Sequence, residues 1–343
     1  MVTSIPNDPK VRGKPAMKNI VKPDEVLRTA KKEFDQAYDQ AKTKYQTAFK
    51  SIKPLAELEE LPVPPLVRAA YSDRMAWIMA NMVQLAYVNF EENELEVERL
   101  DYALRSGAFN LIRTFSNKGT QAFLAKNDEF AVLSFRGTQP DKWEDIKTDI
   151  NAIREKTVDG KVHIGFKTAF DDVKDLIIEE LRINIGKMPL YITGHSLGAA
   201  LATVATRELE TEFSDQIAAC YTFGSPRVGD SKYEKSVKAP FYRIVNTTDI
   251  VTLVPFLLGT FVHVGDARYL SRRKAEDGIY LIYRGMPNFI RTLECIAETL
   301  SALLHLSNPL SPWINAHSME NYVEKLAGIA KQRNKPNLKS ARQ

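Results

Sequence analysis

An α/β fold, with a mostly parallel central sheet and helices on both of its faces, is predicted by three features of the sequence. After residue 67, short apolar runs alternate with amphipathic stretches, the pattern of strands and covering helices that builds a parallel sheet. Within that alternation the run L-Y-I-T leads into Gly194-His195-Ser196-Leu197-Gly198 and then into an Ala-rich stretch, which reads as strand, tight turn and helix. At 343 residues, 44% hydrophobic and 26% charged, the chain has room for one large core, and its ordinary balance removes disordered, collagen-like and membrane-spanning classes.

Taken in order, residues 1–23 carry Pro6, Pro9, Pro15 and Pro23 with no periodicity and read as a disordered lead-in. Over residues 24–52, Val26, Ala30, Phe34, Tyr38, Ala41 and Tyr45 recur every three to four positions, which predicts an amphipathic helix. This N-terminal helical extension either docks on the rest of the chain or meets a partner or a membrane surface. Pro62, Pro64 and Pro65 break the segment 61–66 into a linker, so the main folded domain is drawn over 67–335, with a basic tail at 336–343. Inside that domain the pattern predicts a helix at 72–88, strands at 131–136, 190–194, 218–223 and 241–246, and a late strand pair near 261–270 and 278–283. Helices are predicted at 166–185 and 197–212, and an apolar one at 288–306. No internal repeat is present.

Charge narrows the partners. Lysine and arginine number 47 against 43 aspartates and glutamates, a net of +4 that is too slight for a nucleic-acid field. Part of the excess falls near the ends, in 10–22 and 331–342, which reads as solvated tails or as attraction to anionic lipid. The two cysteines, Cys220 and Cys295, are not in a metal-ligand spacing and are expected as buried thiols. The most apolar stretch, 286–310, is broken by Arg291, Glu294 and Glu298, so membrane spanning is not expected. No Sec signal peptide is expected either; the expectation is a cytoplasmic or peripheral-membrane protein, with another secretion route left open.

The chemistry lies in the turn around Ser196. A serine hydroxyl becomes a nucleophile when it projects from a sheet edge towards a base, and a strand–turn–helix with glycine on both sides of it delivers that projection. Gly194 and Gly198 keep side chains out of the strand–helix crossing, and the turn aims the first N–H groups of the helix at the place where oxyanion charge develops. As a bare pentapeptide the motif arises by chance in about one chain in ten of this length, so its flanking strand and helix carry the inference to an α/β-hydrolase fold. In that fold the order along the chain is serine, acid, histidine, which removes His163 and His195 as bases; His195 is expected as a packed residue. Of His263, His305 and His317, position favours His317, at a loop-to-helix junction after Pro309 and Pro312, over His263 on a predicted strand. Asp249, just beyond a strand, is the favoured acid, while Asp230 and Asp266 read as turn residues.

Several blocks in order resemble the class 3 lipase family of fungal triacylglycerol lipases and plant phospholipase A1 enzymes. They are A-V-L-S-F-R-G-T from Ala131, V-H-I-G-F from Val162, T-G-H-S-L-G-A-A-L-A from Thr193, Y-T-F-G-S-P-R-V-G-D from Tyr221, N-T-T-D-I-V from Asn246 and H-S-M-E-N-Y from His317. The resemblance covers about residues 72–330. It implies Ser196 as nucleophile, Asp249 as the acid that orients the base and His317 as the base, with an oxyanion hole at Leu197 and Thr138. It also implies a lid between Thr138 and His163. There Trp143, Ile146, Ile150 and Ile153 stand at helical spacing, equally readable as a permanently docked helix. Trp143, Ile146, Leu253, Phe256 and Leu257 are expected to touch substrate, although core packing accounts for the last three as well. Ala199 replaces a glycine frequent in the fungal members, which fits the plant-like branch.

The expected function is hydrolysis of acyl esters of lipids by a serine acyl-enzyme, with no metal or cofactor. The alternatives are a soluble esterase on short or aromatic acyl esters, and a lipid- or partner-binding module on a hydrolase scaffold.

Overall fold

The computed structural model describes residues 70–137, 154–254, 261–275, 278–285 and 315–333, all within the unit Ile52–Gln343. The lead-in, the helix expected at 24–52, the linker, the 288–306 helix and the basic tail lie outside the described residues, as do Cys295 and His305.

Among the described residues, eight strands form one sheet in the order β1-β2-β3-β6-β7-β8-β9-β10. Its parallel centre is β3 (Ala131–Phe135), β6 (Leu190–His195), β7 (Ile217–Phe223), β8 (Phe241–Asn246) and β9 (Asp266–Lys274). β3, β6 and β7 are buried at every position because both of their faces are covered, whereas β9 is buried only at its middle. Antiparallel strands close the two edges: β1 (Asn110–Asn117) and β2 (Thr120–Lys126) on one side, β10 (Tyr280–Arg284) on the other. A separate hairpin pairs β4 (Arg154–Thr157) with β5 (Gly160–His163).

Two helices cover each face. Helices α1 (Asp73–Leu85) and α6 (Met319–Arg333) pack together on one side, and α3 (Ile164–Asn184) packs with α4 (Leu197–Phe213) on the other. Phe166, Phe170, Val173, Ile177 and Leu181 follow the spacing that puts one stripe of α3 inward, and all are buried. Helix α2 (Glu94–Ser106) packs against β1, and the short α5 (Ser231–Ser236) against β5. No helix among the described residues is long and apolar enough to cross a membrane.

The expected central strands and the helices at 72–88, 166–185 and 197–212 are present with ends moved by at most three residues. The first of the late pair is shifted: it begins at Asp266 rather than 261, because Gly265 takes φ +80° and lies where a Cβ would stand 2.5 Å from the Phe241 carbonyl. Ahead of it, Val262 makes only an isolated bridge to Gly229.

The crossing of β6 and α4 explains the flanking glycines. A Cβ on Gly198 would stand 2.5 Å from the carbonyl oxygen of Phe135, and one on Gly194 would fall inside the Gly198 carbonyl, backbone that cannot swing aside. Gly328, inside α6, meets only Ile279 Cγ2 at 3.9 Å. Gly194→Ala is therefore expected to lower unfolding free energy by about 2 kcal/mol or more, whereas Gly328→Ala raises it by up to about 1 kcal/mol. Urea denaturation of the two variants checks the pair; equal effects would contradict the packing described.

Candidate active site

Ser196 directly follows β6 and caps α4 with φ 57° and ψ −127°, a left-handed conformation that costs a non-glycine residue about 1–3 kcal/mol. The strain is held by neighbours on both sides. Ser196 N–H donates to the carbonyl of Phe223 (3.0 Å), and the Ser196 carbonyl accepts from Ala199 N (3.0 Å) as the helix starts. Ser196 is fully buried, and its hydroxyl makes no hydrogen bond among the described residues. The first N–H groups of α4, at Leu197 and Gly198, precede any intrahelical partner and supply partial positive charge beside that hydroxyl.

Asp249 caps the 3-10 turn Ile250–Leu253 directly after β8. Its carboxylate has no exposed surface, and a buried charge must be matched by donors. They come from three places: Val251 N–H (3.0 Å), Tyr322 Oη (2.6 Å) and His317 Nδ1, which lies 2.8 Å from each carboxylate oxygen. A carboxylate only accepts, so Nδ1 carries the proton and Nε2 is the basic nitrogen of His317. Beneath the pair, Gly224 takes φ +56°; a Cβ there would stand 2.6 Å from Asp249 Oδ2 and 2.8 Å from His317 Cε1. Since Ser196 is bonded to Phe223 and the acid–imidazole pair rests on Gly224, all three sequence-predicted residues converge at the carboxyl end of β7.

His195 is packed, and it also holds the loop that carries His317. Tyr87 Oη accepts from Gly137 N–H and donates to His195 Nδ1 (2.7 Å), which leaves the proton on Nε2 to donate to the His317 carbonyl (2.7 Å). The two imidazole rings are 4.3 Å apart. Burial, then the neighbouring His317, push the His195 pKa well below its ordinary value. Tyr322 Oη, which gives its proton to Asp249, accepts from Asn246 N–H (2.9 Å). Asn246 Nδ2 donates to the Ala316 carbonyl (2.8 Å), and its Oδ1 accepts from the buried Lys325 (2.7 Å).

On the other side of Ser196, a Cβ at Gly137 would be 3.1 Å from Ser196 Cβ, so the loop leaving β3 passes against the serine. Arg136 anchors that loop. Its guanidinium is 5% exposed, pairs with Glu91 and donates to the Val88 carbonyl (3.3 Å).

Thr138, Trp143, Ile146, Phe256 and Leu257 lie outside the described residues. Leu253 is half-buried at the end of the turn after Asp249, and its carbonyl accepts from Arg227 (2.6 Å). Asp230 caps α5, Asp266 pairs with Arg268, and His263 Nε2 meets the Thr252 carbonyl (2.8 Å). Sequence reasoning gave no role to Tyr322, Tyr87, Asn246 or Lys325. Their partners are distant along the chain, and only the H-S-M-E-N-Y block pointed towards Tyr322.

Residues 132–259 match the family model for lipase (class 3). A lipase of Rhizopus niveus is 33% identical over 216 residues, 57% of this chain and 53% of its own length. A chloroplastic phospholipase A(1) of Arabidopsis thaliana is 30% identical over 261 residues, 66% of this chain and 55% of its own. The chain thus spans about half the length of the curated relatives it matches. The crystal structure of a lipase from Rhizopus microsporus var. chinensis superposes with a TM-score of 0.53 at 24% identity, covering 66% of this chain and 84% of that one. Lipase II from Rhizopus niveus gives 0.52 at 21%, covering 64% and 87%. The fold is that of these lipases, an α/β-hydrolase.

Because the folded state holds His195 neutral, its stabilising contacts are complete above the unfolded-state pKa of about 6.5 and are eroded as pH falls below it. Stability should therefore fall below pH ~6.5 with a contribution from this residue approaching 1.4 kcal/mol per pH unit. Chemical denaturation of the parent and of His195→Gln across that range measures the difference, and parallel curves would refute it.

Proposed function

We propose that this chain, class 3 lipase-like over residues 132–259, hydrolyses carboxylic ester bonds of lipids through Ser196, Asp249 and His317. The observation that carries the reading is the buried pair of His317 Nδ1 and Asp249, 2.8 Å apart, on the same strand end as a serine held in a left-handed turn. An imidazole whose Nδ1 proton is committed to a carboxylate presents Nε2 as a general base. His317 takes the Ser196 proton as the hydroxyl attacks the ester carbonyl, and the N–H of Leu197, with Thr138, receives the oxyanion. Asp249 remains ionised and holds the imidazolium. The alcohol leaves with the proton that His317 returns, and water then attacks the acyl-enzyme to release the acid and restore the serine.

The named activities of the relatives, lipase and phospholipase A(1), make triacylglycerol and phospholipid acyl esters the first substrates to try. Ser196→Ala is expected to lower kcat by roughly 10⁵-fold on emulsified triacylglycerol or phospholipid. Release of fatty acid is the readout, and hydrolysis by this variant at the parent's rate would end the proposal.

A further inference from the structure

The hairpin of β4 and β5 and the helix α5 behind it form one continuous surface. Asp230 N–H donates to the Lys161 carbonyl (2.9 Å), Lys232 Nζ to the Val158 carbonyl (2.9 Å), and a Cβ on Gly160 would stand 2.5 Å from Tyr233 N. Five lysines are exposed there: Lys156, Lys161, Lys232, Lys235 and Lys238. Lys156 and Lys161 stand directly opposite each other in the antiparallel register, an arrangement that opposes folding. None of the five forms an ion pair among the described residues. Of the described carboxylates nearby, Asp159 pairs with Arg207, Glu210 takes the Lys238 and Ala239 N–H groups and Asp230 caps its own helix, while Glu234, on α5 itself, offsets one of the five positive charges. At the hairpin tip Val158 is 88% exposed, the most exposed large apolar residue described, and Ile164 beyond β5 is also exposed.

Exposed lysines in excess of carboxylates, beside a projecting apolar side chain, suit a surface that is negative at its boundary and apolar just beneath. We propose that this face docks the chain on an anionic lipid surface. The position supports that occupant, on the reading that Ser196 attacks lipid esters. From Gly224, beneath the acid–imidazole pair, to Gly229, which bridges Val162 of β5, is five residues, at most about 18 Å of extended chain. A nucleic acid is disfavoured by a net charge of only +4 over the whole chain.

The test is flotation of the full chain with phosphatidylcholine vesicles containing phosphatidylglycerol, compared with phosphatidylcholine alone. Binding should require the anionic lipid and weaken with salt. Lys156→Gln with Lys161→Gln should reduce it about 25-fold, about fivefold for each lysine. Lys156→Glu, which turns the repulsive pair into an attractive one and so favours the hairpin, should reduce it at least fivefold. Equal binding to the two vesicle types, undiminished binding by both variants, or displacement from vesicles by a duplex oligonucleotide would overturn the proposal. Hydrolysis of a soluble short-chain ester, followed in parallel, should be the same in parent and variants. Its absence from the parent would count against the reading of Ser196 and leave the docking result standing.

Discussion

The buried carboxylate of Asp249 is the constraint from which the site follows. An ion with no exposed surface is tolerable only if donors surround it, and here each donor belongs to a different element. Val251 is in the turn after β8, Tyr322 is in α6, and His317 is in the segment leading into α6. Satisfying one charge therefore fixes the C-terminal helix against the sheet and fixes the imidazole tautomer in the same act. The geometry of the candidate site and the tertiary structure are here a single set of hydrogen bonds.

A second layer keeps that set in place. His195 ties the segment of His317 to β6, while Asn246 and Lys325 tie it to β8 and to the Ser271 carbonyl on β9. Opposite them, Arg136 and Tyr87 hold the segment leaving β3, at Gly137, against the serine. The left-handed backbone at Ser196 persists because β6, α4 and Phe223 over-determine it. Each device is local in space and remote in sequence. Tyr322 and Asp249 are 73 residues apart, and His195 and His317 are 122 apart.

That separation decides what could be read from the amino-acid order. The central strands and the turn at Ser196 are written locally, in apolar runs and in glycines whose Cβ atoms would strike backbone, so their places were legible. The antiparallel edge was not. β1 is N-L-I-R-T-F-S-N with one fully buried residue, and its turn is marked only by Lys118 and Gly119, at φ 43° and 88°. Helix α2 had a usable signal, Asn93 capping the N–H of Glu96, but it is polar along most of its length. That Asp249 and His317 come together was legible through chain order and their blocks. The residues that hold them were not, because a tyrosine or a lysine in an amphipathic helix carries no mark of which carboxylate or amide it will meet across the core.

In the proposed function, the hydroxyl of the buried Ser196 is activated through His317 by the charge on Asp249. Labelling with a fluorophosphonate, followed by peptide mapping, tests it directly. Such activation predicts a single adduct, on Ser196, formed roughly 10³- to 10⁴-fold more slowly in Asp249→Asn. An adduct on another residue, or equally fast labelling of Ser196 in that variant, would contradict it.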